Sequence, residues 1–461
     1  MKLLSKLHAF GQRRDVDMTE GGISRHIIMF AIPLLLGNLF QQFYNTVDSW
    51  VVGNYVSDTA FSAVGTVGPI INMLINTFLG LSTGASVVIS QFYGAKQHER
   101  VQDAVHTSML MTLILGVVFT VIGITVTPLM LDLMDTPDSV RPEATQYLII
   151  YFSGILGLMI YNMGSGILRA IGDSRRPFYF LVVSALTNVV LDLVFVLVFK
   201  MGVAGVAIAT VIAQAFSAVL VLVVLFREKN CCRLSVKKLR IHRAMLGKIL
   251  KVGIPAALQM AITAFSNVFV QSYINSFGED CMGGWTAYVK IDQFLFLPMQ
   301  SISLALTTFV GQNLGVNQVA RAKKGITISM IMAVACTAIL MVPVLIFAPQ
   351  FVEFFNQKPE IVSYGSMLLR LISPFYVFCC INQIFAGALR GAGNSRTPMF
   401  IMIGSFVVFR QIYLFIMANF ISNTIKPIAF SYPAGWLVCS LVTALYFKFA
   451  KWENHRVVDT E

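Results

Sequence analysis

Long runs of apolar residues, separated by short polar stretches, dominate this sequence of 461 residues. A helix of about 20 apolar residues crosses the roughly 30 Å hydrocarbon layer of a bilayer. In lipid, every backbone polar group must be satisfied within the chain, so runs of this length form helices. The runs predict an all-α membrane protein with twelve transmembrane helices, near residues 27–53, 60–90, 104–131, 145–168, 178–200, 204–226, 248–277, 286–313, 325–348, 364–389, 398–421 and 432–450.

The amount and placement of charge agree with this prediction. Charged residues make up 12% of the chain, about half the share of a soluble domain. The net charge of +12 would suit a nucleic-acid partner, but most Lys and Arg residues fall in alternate loops and near the chain ends. That placement follows the positive-inside bias if both termini are cytoplasmic. We therefore expect a multi-pass protein of the bacterial cytoplasmic (inner) membrane, in contact with lipid and without a nucleic-acid partner.

The chain offers little sign of a cofactor or a leader peptide. The seven cysteines have no metal-binding spacing, and no histidine falls in the middle of a predicted span. We expect no cofactor, and no metal beyond a possible Na⁺. The first 26 residues lack the apolar core of a cleaved signal peptide, so the first helix is expected to insert as part of the mature protein.

An internal repeat divides the chain into two halves. LRAIGDSRRP at 168–177 matches LRGAGNSRTP at 389–398 in six of ten positions, an offset of 221, and Ile32-Pro33 recurs as Ile254-Pro255. Each half holds six helices, an even number, so the halves are parallel repeats with the substrate path expected between them. We expect a monomeric protein with two pseudo-symmetric six-helix lobes: a cytoplasmic segment 1–26, a lobe 27–226, a basic cytoplasmic linker 227–247, a lobe 248–450 and a cytoplasmic tail 451–461.

Polar residues in the first lobe converge at one depth. Asp48 ends a polar face of the first helix, Asn188 and Asp192 share a face of the fifth, and Thr210 lies at a similar depth in the sixth. Carboxylate, amide and hydroxyl oxygens suit a proton or a hard cation. A polar seam between helices is the alternative, but two like charges in a low dielectric repel each other and suit a seam poorly. We predict a coupling-cation site.

Other polar residues suggest a water-filled interior. We expect the substrate cavity to include residues from both lobes: Asn38, Gln41, Asn45, Asn72, Asn76, Gln259, Asn267, Gln271, Asn382 and Arg410. Pro33 removes a hydrogen bond from the first helix and permits a bend there. Asp292 is expected to form an ion pair, either with Lys290 at the membrane interface or with Arg410.

These motifs resemble the multidrug and toxic compound extrusion (MATE) family, in particular its DinF-like branch. The resemblance covers about residues 20–450 and rests on IPLLLGNLFQQFYNTVDSWVVG at 32–53, the two repeated loops, and NVVLDLVFVLVFKMGVAGVAIAT at 188–210. It implies export of amphipathic, often cationic drugs or toxic metabolites in exchange for H⁺ or Na⁺. The first-lobe cation site of the family maps onto Asp48, Asn188, Asp192 and Thr210, and its helix 1 proline maps onto Pro33.

The chain departs from the NorM-type branch of the family in the seventh helix. That branch has an acidic residue there, whereas this helix offers Gln259, Asn267 and Gln271. The departure argues against ion coupling through the second lobe.

Three other functions are less well supported by the residues. A lipid-linked saccharide flippase of the same superfamily would need a cationic cavity for pyrophosphate, and Arg410 alone is available in the middle of a span. An enzyme would need a nucleophile with a base or metal ligands at matching depth. A channel is disfavoured by acidic residues that concentrate in one half.

The charge asymmetry generates a topology prediction. In a Cys-free variant, a cysteine introduced by Asp138→Cys or Glu279→Cys should react with an impermeant maleimide added to intact cells. A cysteine introduced by Lys238→Cys should react only after the membrane is opened. Labelling of the Lys238→Cys variant from outside would overturn the orientation.

Overall fold

The fold is seen in a computed structural model that describes residues 16–134 and 136–458. Within those ranges the chain is helical and has no strand. Twelve helices of the described chain are long and apolar enough to span a membrane, which confirms the predicted fold class. We label them α1 to α12: Ile23–Tyr55, Asp58–Gly94, His98–Leu133, Arg141–Ala170, Arg175–Val198, Gly202–Arg227, Arg243–Asn275, Glu279–Gly315, Val319–Ile346, Pro359–Gly391, Arg396–Ile421 and Ile425–Phe449.

Four of these helices contain local irregularities. The α5 helix ends in a π turn at Val194–Val198, and α11 contains π turns at Gly404–Phe409 and Met417–Ile421. A 3₁₀ turn at Ser373–Phe375 interrupts α10, and α12 is made of two segments. Single π turns are rare and often lie at functional sites, because they re-aim the side chains on either side.

The two halves repeat their backbone geometry as well as their sequence. Gly172 and Gly393, 221 residues apart, have φ angles of +89° and +92°, a conformation that glycine adopts without a steric penalty. Asp173 then accepts the backbone N–H of Arg176, and Asn394 accepts that of Thr397. The repeated loop is therefore the same turn in both halves, used to start α5 and α11.

A close helix contact is repeated at the same spacing. The Ser82 hydroxyl on α2 donates to the carbonyl of Asn162 on α4 at 2.7 Å, and the Ser303 hydroxyl on α8 donates to the carbonyl of Gln383 on α10 at 2.6 Å. Small residues let membrane helices approach closely, and hydroxyls then bond across the contact. The halves therefore share their packing, as parallel repeats require.

The compact units of the structure are not the same as the two sequence halves. Unit 1 contains residues 16–17 and Pro33–Gly253, whereas unit 2 contains Met18–Ile32 and the chain from Ile254 onward. The first turns of α1 therefore belong to unit 2 and the first turns of α7 to unit 1. The predicted lobes 27–226 and 248–450 lack this exchange, because a division by chain order cannot show which unit the end of a long helix packs against.

Backbone contacts hold the exchanged segment of unit 2. The Met18 N–H donates to Gln312 Oε1 at 2.9 Å, and the Met18 carbonyl accepts from the side chains of Asn313 and Arg321. The Arg321 guanidinium also donates to the carbonyl of Glu20 at 2.9 Å. The segment before α1 is thus bonded to the ends of α8 and α9.

A glycine contact holds the exchanged segment of unit 1. A Cβ atom on Gly84 of α2 would lie 2.5 Å from Gly253 Cα and 2.7 Å from the Ile249 carbonyl oxygen on α7. The Lys248 ammonium lies 5.2 Å from the centre of the Phe92 ring. Because the obstructing atoms are backbone, only glycine at residue 84 permits this approach.

The linker 227–247 is bonded to α3 within unit 1. The buried His106 accepts the Ser235 N–H through Nε2 at 3.0 Å, and the His242 N–H donates to Thr107 Oγ1 at 3.1 Å. The Lys238 ammonium donates to Gln102 Oε1 at 3.1 Å. This fixes the path of the linker while many of its basic side chains stay exposed.

The Gly84 contact generates a stability prediction. Gly84→Ala should lower the melting temperature and folded yield of the purified protein, because overpacking against backbone costs about 1–3 kcal/mol. Gly68→Ala is the matched control on the same helix, since a Cβ there meets nothing within 4 Å. Alanine should be neutral or stabilising at that position, because it favours helix over glycine by roughly 1 kcal/mol. Equal melting temperatures for the two variants would contradict the close contact.

Candidate cation site

Two carboxyl groups from different helices meet in unit 1. Asp48 lies near the C-terminal end of α1, and Asp192 lies near the end of the regular part of α5. The two side chains are within hydrogen-bonding reach of each other. Asp192 is fully buried and Asp48 is half-buried. No cationic side chain of the described chain pairs with either carboxylate.

The local geometry of α5 brings Asn188 to the same place. Asn188 precedes Asp192 by four residues, so the two side chains share one face of the helix. The Asn188 Nδ2 group donates to Asp192 Oδ2 at 3.2 Å. The π turn Val194–Val198 begins two residues after Asp192. The amide thus orients one oxygen of the carboxylate and leaves its own carbonyl oxygen available.

Three buried oxygens at this site receive no hydrogen bond from the described residues: Asp48 Oδ1, Asn188 Oδ1 and Asp192 Oδ1. Buried polar atoms are normally paired, because leaving one unpaired costs about 1–3 kcal/mol. Carboxylate and amide oxygens are ligands for hard cations, and a carboxylate oxygen also takes a proton. The arrangement can therefore bind H⁺ or a small monovalent cation such as Na⁺.

A tyrosine that was not predicted from the sequence lies beside the carboxylates and bonds Thr210. Tyr147 of α4 is fully buried beside Asp48 and Asp192, and its hydroxyl is a hydrogen-bond partner of Thr210. The Thr210 hydroxyl donates to the Val206 carbonyl at 3.0 Å, so its lone pairs remain to accept. The structure thus brings the four predicted site residues together and adds Tyr147, whose hydroxyl donates to Thr210.

Two further tyrosines surround the pair. Tyr151 lies one turn after Tyr147 on α4, with ring centres 6.4 Å apart and planes inclined by 12°. Tyr44 lies one turn before Asp48 on α1 and is a hydrogen-bond partner of Gln41. The signal in the sequence was the spacing, since each tyrosine lies four residues from another site residue on a predicted span.

The remaining predicted cavity residues of the first half differ in their exposure. Asn38 and Asn76 are half-buried, whereas Asn45 and Asn72 are exposed. Their exposure is compatible with a lining role, which stays a prediction.

In the second half, two of the predicted cavity residues are used in packing. Asn382 is 1% exposed, donates to the Trp436 carbonyl and accepts from the Ser440 hydroxyl. These bonds hold α10 against α12. Gln259 is buried and donates to Met402 Sδ, whereas Gln271 donates to Asn275 on its own helix.

The predicted ion pair of Asp292 is wrong for both partners. The Arg410 guanidinium donates to Ser266 Oγ at 2.8 Å and to Asn267 Oδ1 at 2.9 Å, and lies 4.8 Å from the centre of the Tyr432 ring. Asp292 Oδ1 instead accepts from tyrosine hydroxyls. Each charged side chain is thus bonded by neutral hydroxyl or amide groups rather than by the other, which spacing along separate helices could not show.

Comparison with known proteins adds evidence on the family to which the chain belongs. The sequence profile of the MatE family matches residues 33–194 and again residues 255–416. The two matches coincide with the internal repeat and end just past Asp192 in the first half.

Relatives align over nearly the whole chain. A Bacillus subtilis protein named probable multidrug resistance protein YpnP is 28% identical over 437 residues, which cover 95% of this chain and 97% of that protein. A Thermotoga maritima protein named probable multidrug resistance protein NorM is 24% identical over 446 residues, which cover 95% of each chain.

Solved structures show the same fold. The outward-facing structure of a multidrug resistance MATE family transporter superposes with a TM-score of 0.90 at 22% identity, covering 97% of this chain and 99% of that one. A multi-pass membrane fold, a repeat matched twice by one family profile and relatives aligned end to end lead to one conclusion: the chain belongs to the MatE family, which is a family of transporters and not of enzymes.

Proposed function

We propose that this protein is a multidrug antiporter that exports amphipathic, often cationic small molecules in exchange for inward-moving H⁺ or Na⁺. The observation that carries the proposal is the set of three unpaired acceptor oxygens on Asp48, Asn188 and Asp192. A pair of membrane carboxylates without a cationic partner is costly when both are charged. Binding one H⁺ or Na⁺ relieves that cost, so the pair is a natural coupling site.

Exchange follows from linkage between the ion and the drug. An ion that binds one conformational state better than the other shifts the population toward that state. If the ion and the drug favour opposite states, each promotes release of the other. A proton that enters down 100 mV supplies about 2.3 kcal/mol, and this energy is available whenever the exchange moves net charge, as it does for a neutral drug or for more than one proton per monovalent cation.

Pro33 is proposed as the hinge of this exchange. It lies inside α1 at the border between the two units, with Ile32 assigned to unit 2 and Pro33 to unit 1. Proline removes one backbone hydrogen bond of the helix and permits a change of angle. Asp48 lies fifteen residues further along the same helix, so a change at the carboxylate pair can be transmitted to the bend.

The proposed substrate class is supported by the names of two relatives and by the Met and Phe content of the chain. Both relatives described above are named probable multidrug resistance proteins. The chain holds 22 Met and 36 Phe, and flexible thioethers and aromatic faces accommodate varied apolar ligands. A lipid-linked saccharide flippase is less well supported, because Arg410 already bonds Ser266 and Asn267 and stacks on Tyr432.

Everted membrane vesicles test the exchange itself. Fluorescent cation transport should respond to an imposed pH gradient, to an imposed Na⁺ gradient, or to both, and it should be lost when the driving gradient is collapsed by an ionophore. Transport that responds to neither gradient, at confirmed expression, would contradict antiport.

Neutralising either carboxylate should uncouple transport. Asp48→Asn and Asp192→Asn keep side-chain volume but remove the charge, so each should reduce gradient-driven efflux to near background while drug binding persists. Thr210→Ala should only weaken transport, because it removes one neutral oxygen worth about 1 kcal/mol. The measurement is efflux of a fluorescent cation from energised cells at matched membrane expression.

Asp138→Asn is the matched control for these two variants. It makes the same chemical change at an exposed loop aspartate, so efflux should remain at the wild-type level. If Asp48→Asn and Asp192→Asn also retained gradient-dependent efflux, the carboxylate pair would be a structural contact and the proposed mechanism would fail.

A further inference from the structure

A membrane carboxylate in unit 2 is held by tyrosine hydroxyls alone. Asp292 lies on α8, and its Oδ1 accepts from the hydroxyls of Tyr376 on α10 and of Tyr288, one turn earlier on α8, the latter at 3.5 Å. Its other oxygen, Oδ2, has no hydrogen bond to any described residue. Asp292 is half-buried, whereas Tyr288 and Tyr376 are 2% and 0% exposed. One carboxylate oxygen is thus held by hydrogen bonds, and the other keeps a lone pair that can accept a proton.

Closely packed aromatic rings surround the two tyrosine donors. The Tyr376 ring centre lies 5.5 Å from that of Trp436 and 5.7 Å from that of Phe296, and the Trp285 ring centre lies 5.0 Å from that of Tyr288. Trp285 and Trp436 are 3% and 6% exposed. The rings fill the space around the tyrosine donors and contribute no charge.

The titratable groups that interact with Asp292 come from three helices. They are Tyr288 of α8, Tyr376 and Cys379 of α10 and Tyr432 of α12. The Arg410 guanidinium of α11 lies against the Tyr432 ring and donates to Ser266 rather than to Asp292.

We propose that Asp292, with its two tyrosine donors, forms a second proton-binding site in unit 2, separate from the carboxylate pair of unit 1. The proton is taken from water and binds at Oδ2, while the tyrosine hydroxyls continue to donate to Oδ1. No other bond forms or breaks. Uptake changes the net charge of Asp292 and Arg410 together from zero to +1.

The geometry favours a proton over other cations. A bound Na⁺ would need several oxygen ligands around one point, and this site offers one free carboxylate oxygen. An organic cation would need room against an aromatic face, but here the rings pack against one another. A proton needs a single lone pair and no cavity.

The inference extends the proposed function without depending on unit 1. If the protein exchanges cationic drugs, loss of the proton would remove a positive charge from the interior of unit 2 and make it more attractive to a cation. Proton binding at Asp292 can be measured without drug or gradient, so its failure is distinct from a failure of coupling at Asp48 and Asp192.

The test uses the tryptophans beside the site. The chain has four, and the double variant Trp50→Phe, Trp452→Phe leaves Trp285 and Trp436 as reporters. Their emission in detergent micelles should show a one-proton step as the pH is varied within the folded range. Asp292→Asn should abolish the step, whereas Asp48→Asn should leave its amplitude unchanged.

A second variant covers the case in which Asp292→Asn fails to fold. Tyr376→Phe keeps the ring but removes a donor to the ionised carboxylate, so the midpoint of the step should move about one to two pH units upward. Difference infrared spectra of the wild type across the step should show the carbonyl band of a protonated carboxyl group. The absence of a step, a step that survives Asp292→Asn, or an unmoved midpoint in Tyr376→Phe would overturn the proposal.

Discussion

The contact between Asp48 and Asp192 is the constraint on which the site in unit 1 depends. Two carboxyl groups face each other on membrane helices and no cationic side chain of the described chain compensates them. Such a pair is stable only if a proton or a cation is shared between them, or if hydroxyl and amide donors carry part of the charge. Asn188 supplies a donor to Asp192, whereas the Tyr147 hydroxyl bonds Thr210, and three acceptor oxygens remain unpaired among the described residues. Under the proposed function, this pair is the site whose occupancy changes with the ions around it.

The two repeats share backbone turns and helix contacts, but their charged side chains lie at different positions. The glycine turns, the serine contacts and the starts of α5 and α11 coincide at an offset of 221 residues. Offsets of 221 and 222 place Arg410 at the position of Val189 or Asn188. Unit 2 therefore has a guanidinium where unit 1 has its acidic site, and its own carboxylate lies on α8 instead. Arg410 would repel a cation at that position, so the described part of unit 2 does not repeat the acidic site there.

Much of this could be predicted from the sequence, because lipid makes polarity informative. A carboxylate inside an apolar run is costly, so Asp48 and Asp192 stood out, and helical spacing added Asn188 and Thr210. Tyr147 was missed because a tyrosine in a membrane helix is common and its hydroxyl partner lies on another helix. The expected ion pair of Asp292 failed for the related reason that opposite charges at similar depth need not point at each other. Contacts between distant helices are set by rotation and tilt, which a single sequence does not specify.

The assignment of the first turns of α1 and α7 to the other unit is a feature that the polarity pattern of the sequence could not reveal. The N-terminal turns of α1 are bonded into unit 2 through Met18 and Glu20, whereas its Asp48 end lies in unit 1. The same exchange, in the opposite sense, occurs in α7, where Gly253 packs against Gly84 in unit 1. Pro33 lies at the border between the two units in α1, and Pro255 lies one residue past that border in α7. Under the proposed exchange, ion binding at Asp48 therefore acts on a helix whose first turns are bonded within unit 2, and Pro33, which removes one backbone hydrogen bond between these two ends, is the proposed hinge.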